Sequence, residues 1–220
     1  IGEIILVVIG ILIALQVNTW NETIKIEKSK NIQLKSLKED LQEDYKKLIL
    51  LDSSVSNELI EIESVFARLR KPSCTIDTLI KINRLEFDPY LHSHDGFKKT
   101  TYESLINTGE IKTLHNDLKK DLSELSIAQA SFKNQIDVHF NSYLQTVQDH
   151  LSQFPTNNKI YPFSHGPLNK ELWNNINYSQ LLISYNKTMS TKKLYYIQLI
   201  GSIRYVSGLT QSILQTHFND

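Results

Sequence analysis

The chain has 220 residues and carries 24 Lys and Arg against 24 Asp and Glu, so its formal net charge is zero. Because phosphate binding needs an excess of basic side chains, this balance argues against a nucleic-acid partner. The low counts of Gly and Pro, seven and five, disfavour a β-sandwich and favour long helices, and the single cysteine excludes an internal disulfide.

The first predicted element is an apolar helix over Ile4–Val17, which carries no charge and one polar side chain. Because the stretch is apolar, we expect it to lie in a bilayer. At helical rise it spans about 21 Å, which is less than the thickness of the hydrocarbon core, so we expect the helix to extend toward its N-terminal flank. We therefore predict a transmembrane anchor over residues 1–20 and a soluble helical domain over residues 21–220. A signal-peptide core and a buried core helix are the alternatives.

Several residues of the anchor are candidates for membrane insertion or assembly. A carboxylate at membrane depth is costly, so Glu3 is expected near the opposite interface, protonated, or paired with another subunit. Gly10 and Ala14 form a weak small-x-x-x-small motif for helix association. Polar amides prefer protein neighbours to lipid, and an aromatic ring suits the lipid–water interface. The predicted membrane and assembly residues are Glu3, Gly10, Ala14, Gln16, Asn18 and Trp20.

An amphipathic segment follows the anchor, with apolar residues about every 3.5 positions. They are Leu34, Leu37, Leu41, Tyr45, Leu48, Leu51, Val55, Leu59, Ile62, Phe66 and Leu69. Pro72 stops the pattern, which predicts a helix from about Thr19 to Lys71 that continues out of the anchor. The stripe suits an intermolecular coiled coil or a helix within the chain's own bundle. Ile49, Ile60 and Val65 widen it, which favours the bundle.

The middle of the chain is less regular. Residues 75–82 predict a short helix with a Thr or Asp cap, and residues 87–90 break it. The tract His92-Ser93-His94-Asp95-Gly96 indicates a loop. Two histidines and an aspartate in one loop are metal-ligand types, but the further ligand that completes such a site is not evident, so we predict a polar turn and no metal.

A capping box at Thr100-Thr101-Tyr102-Glu103 predicts the start of a short helix, which Thr108-Gly109 ends. The stripe that begins at Ile111 then predicts a long helix to about Phe154, before Pro155.

The last helical run begins near Asn169 or Glu171, and residues 177–180 are expected to divide it in two. Gly201 and Gly208 lie on one face of it and are expected to allow close helix approach. The predicted fold class is all-α, with the N-terminal transmembrane helix continuing into a long amphipathic helix, in an antiparallel bundle of three to four long helices.

The opening residues 1–22, IGEIILVVIGILIALQVNTWNE, resemble the N-terminal signature of an uncharacterised family of small single-pass membrane proteins of Bacteroidota. Residues 102–111, YESLINTGEI, resemble that family's internal Tyr-Glu-Ser-Leu-x-x-x-Gly motif. Family members carry a basic segment before the anchor. By the positive-inside rule, the resemblance implies an inner-membrane protein with a cytoplasmic N-terminus and a periplasmic C-terminal domain. The resemblance carries over no catalytic residue.

A carboxylate near the N-terminus of an apolar helix also resembles type IV pilins, in which the acid pairs with a neighbouring subunit. Here Glu3 lies two positions early, and no C-terminal sheet is evident in the sequence.

We expect a membrane-anchored helical interaction or sensory module, or an accessory subunit of a larger membrane complex. Its partners would be the lipid bilayer and a membrane protein or a second copy of the chain. We expect no catalytic residue and no cofactor, because neither the His92–Asp95 tract nor Tyr102 with Glu103 belongs to a recognised catalytic motif. A pilin-like filament subunit and a metal-dependent enzyme are the alternatives.

Overall fold

The computed structural model describes residues 2–156 and 166–218, without the side chains of residues 3–8. All regular structure in these residues is helical, which confirms the all-α class, and they contain no counterpart of a pilin's C-terminal sheet. The helices are α1 (Gly2–Leu69), α2 (Ile76–Lys81), α3 (Thr100–Asn107), α4 (Asn116–Gln153), α5 (Pro167–Asn174) and α6 (Tyr178–His217). A π-helical turn, Ile82–Glu86, follows α2, and a 3-10 turn, Glu110–Thr113, precedes α4.

Helix α1 contains 68 residues and joins the predicted anchor to the predicted amphipathic helix without a break. Its buried apolar residues lie four positions apart at the start and then seven apart, as expected for a stripe of heptad period. They are Leu37, Leu41, Leu48, Val55 and Ile62. Ile49 and Ile60 are 46% and 67% exposed, so the prediction that they widen the buried stripe is wrong.

The predicted anchor, residues 1–20, forms the start of α1 from Gly2 onward. In the part of the chain that the structure describes, we find no helix with an apolar stretch of sufficient length and hydropathy to cross a membrane. The transmembrane anchor therefore stays a prediction.

The chain folds as two compact units, each assembled from separate segments. The first unit comprises Ile1–Tyr45, Phe97–Glu124 and Thr210–Asp220, and the second comprises Lys46–Gly96 and Leu125–Leu209. The three long helices, α1, α4 and α6, each contribute residues to both units.

Helix α6 runs antiparallel to both α1 and α4 within the second unit. Along α1 and α6, Arg204 pairs with Asp52 at 3.0 Å, and Lys193 pairs with Glu63 further on. Along α4 and α6, Ser202 lies 3.4 Å from Gln135, and Ser184 lies 2.9 Å from His150. In both sets of contacts, the residue numbers rise along α1 or α4 while they fall along α6. Helices α1 and α4 are therefore parallel to each other, and only α6 is reversed.

In the first unit, polar contacts join α1 to the segment around α3. The two carboxylate oxygens of Glu110 accept hydrogen bonds from Ser29 at 2.9 Å and Gln33 at 2.8 Å. The predicted capping box is wrong, because Thr100 is already helical and the capping residue, Lys99, makes no side-chain cap. The next hydroxyl, that of Thr101, donates to Asp40 at 2.5 Å instead.

Local turn chemistry follows the sequence at three other points. The Thr75 hydroxyl caps α2 by accepting from the N–H of Thr78. Gly109 adopts a φ of 76° just after α3, the left-handed conformation that glycine tolerates. Residues 175–177 separate α5 from α6, which confirms that the run is divided, but the break lies before the predicted residues 177–180, of which 178–180 already belong to α6.

The two glycines of α6 do not mark a close helix approach. A Cβ added at Gly201 or Gly208 would meet no atom within 4 Å. The expectation that these glycines let a neighbouring helix come close is therefore wrong.

Candidate functional site

Five of the six predicted membrane and assembly residues, all except Glu3, belong to the N-terminal section of α1, which we define as residues 9–20. Its large apolar side chains expose between 47% and 67% of their surface. They are Ile9, Ile11, Leu12, Ile13, Leu15, Val17 and Trp20. A helix whose apolar side chains are exposed at consecutive positions presents apolar surface on every side.

The predicted residues fall on two separate faces of this section. Gly10, Ala14 and Asn18 follow at four-residue steps and share one face, while Gln16 and Trp20 share another. All five are exposed. The backbone of Glu3 is helical, but its side chain lies outside the described residues. The section is therefore a surface with a small and polar face, and the structure does not gather these residues into one pocket.

The His-x-His-Asp tract does not converge on a point. His92 lies 3.8 Å from a carboxylate oxygen of Glu58, whereas the ring of His94 meets the edge of Phe132 with centroids 5.3 Å apart. Burial lowers the pKa of His94, and its Nδ1 accepts the backbone N–H of Gly96 at 3.0 Å. Among the described residues, no group of three or more His, Cys, Asp and Glu side chains is placed to hold a metal ion.

A set of buried side chains that the sequence analysis missed holds the extended segment 88–92, which we call the clamped segment. Lys192 donates to the carbonyl of Asp88 at 2.8 Å, Tyr143 to that of Pro89 at 2.7 Å, and Tyr195 to that of His92 at 2.9 Å. The hydroxyl of Tyr196 accepts the N–H of His92 at 3.1 Å. These bonds satisfy backbone groups that have no helix or sheet of their own.

The cation of this clamp is itself neutralised by a carboxylate. Lys192 is 2% exposed, and its Nζ lies 3.3 Å from Glu58. Burial raises the pKa of Tyr195 to about 12, so its hydroxyl stays protonated and able to donate. Lys192 lies three residues after the buried Met189 and four before the buried Tyr196, so the signal in the sequence was a lysine on the same helix face as these two residues.

A second buried polar contact centres on His150 of α4, which is fully buried. Its Nε2 lies 2.6 Å from Oδ1 of Asn83 and its Nδ1 lies 2.9 Å from the hydroxyl of Ser184. Because an amide oxygen only accepts, Nε2 carries the proton and Nδ1 accepts from the serine. Burial lowers the pKa of His150 to about 4, so the ring is neutral at physiological pH.

The comparisons with known proteins concern the N-terminal part of the chain. Residues 3–88 match the model of a family described as a family of unknown function, DUF6090. The matched range contains the N-terminal section of α1 and ends at the first residue of the clamped segment. No curated protein and no solved structure matches the chain. Over residues 3–88, the chain is similar to an uncharacterised family.

Proposed function

We propose that this chain is a membrane-anchored helical interaction or sensory module without catalytic activity, and that it serves as an accessory subunit of a larger membrane complex. One observation carries the proposal. A single continuous helix presents bare apolar surface at its N-terminal section and buries a regular apolar stripe farther along.

The bare surface requires an apolar environment around the whole helix. Ile11, Leu12 and Ile13 are 57%, 60% and 57% exposed, and successive residues point about 100° apart. Exposed apolar patches of this kind mark contact with protein or membrane. A flat protein partner would cover one side only, so lipid is the environment that we propose.

The hydroxyl beside this surface is compatible with the same environment. Thr19 donates to the carbonyl of Leu15 at 2.9 Å. This bond satisfies the hydroxyl donor within the helix, which an apolar surrounding requires. The polar boundary follows at Glu22 and Lys25, whose charged groups lie 3.6 Å apart.

The topology that we propose is a single pass of the inner membrane, with the N-terminus cytoplasmic and the helical domain periplasmic. In this arrangement α1 would carry a rotation or an axial shift from the bilayer to the buried stripe without a joint. A membrane-protein partner or a second copy would meet the face of Gly10, Ala14 and Asn18, with Glu3 paired or protonated at depth.

Flotation with lipid vesicles tests the anchor. We expect the wild-type chain to rise with the vesicles and the double variant Leu12→Lys, Leu15→Lys to remain at the bottom. Each lysine adds about 2.5–3.5 kcal/mol to the free energy of insertion. The matched control is Leu50→Lys, Ile60→Lys, because Leu50 and Ile60 are 61% and 67% exposed in the same helix. A wild-type chain that stays at the bottom contradicts the anchor.

The single cysteine allows the topology to be tested directly. Cys74 is half-buried after the end of α1, with its thiol 3.7 Å from the carbonyl of Thr75. We expect a membrane-impermeant maleimide to label it in cells whose outer membrane alone is permeable, and Cys74→Ser to abolish the signal. Labelling that requires lysis of the inner membrane contradicts a periplasmic domain.

Assembly is tested by the size of the complex that the native protein forms in mild detergent. We expect Glu3→Leu to reduce that size. Glu22→Leu is the matched control, because it removes a carboxylate from the polar side of the boundary. The accessory-subunit proposal is contradicted if the wild-type protein is a monomer without a co-purified membrane protein and Glu3→Leu leaves its size unchanged.

A further inference from the structure

In the second unit, Arg84, Asn169 and Trp173 form one cluster, which we call the Arg84 cluster. Nη2 of Arg84 donates to Oδ1 of Asn169 at 3.2 Å, and the guanidinium carbon lies 5.1 Å from the ring centroid of Trp173. Asn169 and Trp173 are 2% and 5% exposed, while Arg84 is half-buried. Helix α5 thus places an amide and an indole against a cation of the π-helical turn.

The cluster contains more buried donors than acceptors. Among the described residues, Nε of Arg84, Nδ2 of Asn169 and Nε1 of Trp173 have no hydrogen-bond partner, and neither does Nδ2 of the adjacent Asn83. Buried polar groups in proteins nearly always have a partner, so each such group calls for an explanation. Each of the four atoms is a nitrogen donor, so what each of them lacks is an acceptor.

The charge of the cluster is also uncompensated. Glu86, two residues along the chain, gives both of its oxygens to Arg68, at 2.6 Å and 3.0 Å. No ion pair within the described residues includes Arg84, which instead rests on a neutral amide and an aromatic face. A partly buried cation without a counterion is costly, and an anion would remove that cost.

We propose that the Arg84 cluster binds a ligand through an anionic oxygen group, a carboxylate or a phosphate. One ordered water accepts about two hydrogen bonds and carries no charge, so it would leave donors unpaired and the guanidinium uncompensated. An oxyanion accepts several donors at once and forms the stronger, charge-assisted bonds with arginine. The proposal does not depend on the membrane anchor, because every residue that carries it belongs to the second unit.

Tryptophan fluorescence tests the site in the full chain. The chain has two tryptophans, so the Trp20→Phe variant in detergent micelles leaves Trp173 as the reporter. Inorganic phosphate and acetate are titrated separately, with sodium chloride at matched ionic strength as the reference. A saturable change of Trp173 emission with either anion is the expected result, and the arm that responds identifies the anion chemistry. Responses no larger than that of chloride would mean ordered water only and would overturn the proposal.

Two variants in this background locate the response. Arg84→Gln should weaken anion binding about tenfold or more, because it removes the charged donor. The control Arg204→Gln removes an exposed arginine that already pairs with Asp52, and it should leave the affinity unchanged. Equal affinities for Arg84→Gln and the parent chain would overturn the site.

The Asn169→Asp variant tests whether the Arg84 cluster binds an anion, even if Arg84→Gln fails to fold. It places a carboxylate where Asn169 already accepts from Arg84, and it removes one unpaired donor. We expect a raised Tm and no response to phosphate or acetate, because the chain then supplies its own anion. A lowered Tm, or a retained response, would contradict the inferred charge of the cluster.

Discussion

Two sections of α1 contain the same apolar residue types and meet opposite surroundings. In the N-terminal section Leu12 is 60% exposed, whereas in the section of buried heptads, residues 37–62, Leu48 is fully buried. The difference lies in spacing. Apolar residues at every position give the helix apolar surface on all sides, while apolar residues every three or four positions give one stripe that a bundle can cover. Hydrophobicity alone therefore does not predict which leucines form the core.

The polar groups of the two sections differ in whether they reach another element. Both sections contain a hydroxyl that donates to its own helix backbone, Thr19 to Leu15 and Ser54 to Leu50. The heptad section also pairs with another helix, since Glu58 lies 3.3 Å from the buried Lys192. A polar group that reaches another element fixes the helix in a protein interior.

The largest effect is expected when the same substitution, leucine to alanine, is made in each of the two sections. Leu48→Ala should lower the free energy of unfolding by about 2–5 kcal/mol, because it opens a cavity in the core. Leu12→Ala should change it by less than about 0.5 kcal/mol, because that side chain is 60% exposed in the folded chain. Urea unfolding of both variants in detergent measures the pair. Equal losses would mean that residues 9–20 pack against protein.

The second prediction applies the comparison to carboxylates. Glu58→Ala leaves the ammonium of Lys192 buried without its counterion, so we expect a loss of about 3 kcal/mol. Glu22→Ala breaks an exposed pair with Lys25 in the same helix and should cost less than about 0.5 kcal/mol. Chemical denaturation at neutral pH tests the order. A loss for Glu58→Ala as small as that for Glu22→Ala contradicts a neutralising role in the clamp.

The third prediction concerns acid. Burial lowers the pKa of His150 to about 4 in the folded chain, whereas an unfolded histidine titrates near 6.5. Between these values the unfolded state binds more protons, so stability falls as the pH falls, by up to about 3 kcal/mol in all. His150→Gln should remove this part of the slope and leave the part from His94, whose pKa burial also lowers, whereas His115→Gln should leave the whole slope, since the His115 side chain is 79% exposed. An unchanged slope in His150→Gln assigns it to other groups.

The sequence predicted what depends on local chemistry and regular spacing. The heptad stripe predicts the buried face of α1, Pro72 predicts its end, and Gly109 predicts the turn after α3. Each of these depends on neighbouring residues only. The prediction that Ile49 and Ile60 belong to the buried stripe was wrong. A wide apolar stripe fits several bundles, and the partner helices decide how much of the stripe they cover.

The candidate sites could not be predicted in the same way. The predicted residues of the N-terminal section are exposed as a group, and the described part of the chain leaves them uncovered. The Arg84 cluster joins α5 to a turn 85 residues earlier, and no local pattern indicates such a contact. His150 was visible only as a polar residue within an apolar stripe that includes Val147 and Phe154.

The smallest effect comes from glycine in a helix. Gly201→Ala should raise the free energy of unfolding by about 0.5–1 kcal/mol, because a Cβ there meets open space and alanine is the better helix former. Gly109→Ala is the opposite control, since its φ of 76° strains any side chain. Urea unfolding of both variants should give changes of opposite sign. A loss in Gly201→Ala would mean that this face of α6 is covered.

The same substitution in the N-terminal section distinguishes lipid from a protein partner. Within the chain, a Cβ at Gly10 meets no atom within 4 Å, so Gly10→Ala should not impair folding or vesicle flotation. If the face of Gly10 and Ala14 meets another helix in the membrane, the added methyl group separates the two backbones and weakens that association. Size analysis in mild detergent then detects a smaller complex for Gly10→Ala than for wild type. An unchanged size assigns this face to lipid and moves the search for the partner to Glu3 and to the face of Gln16.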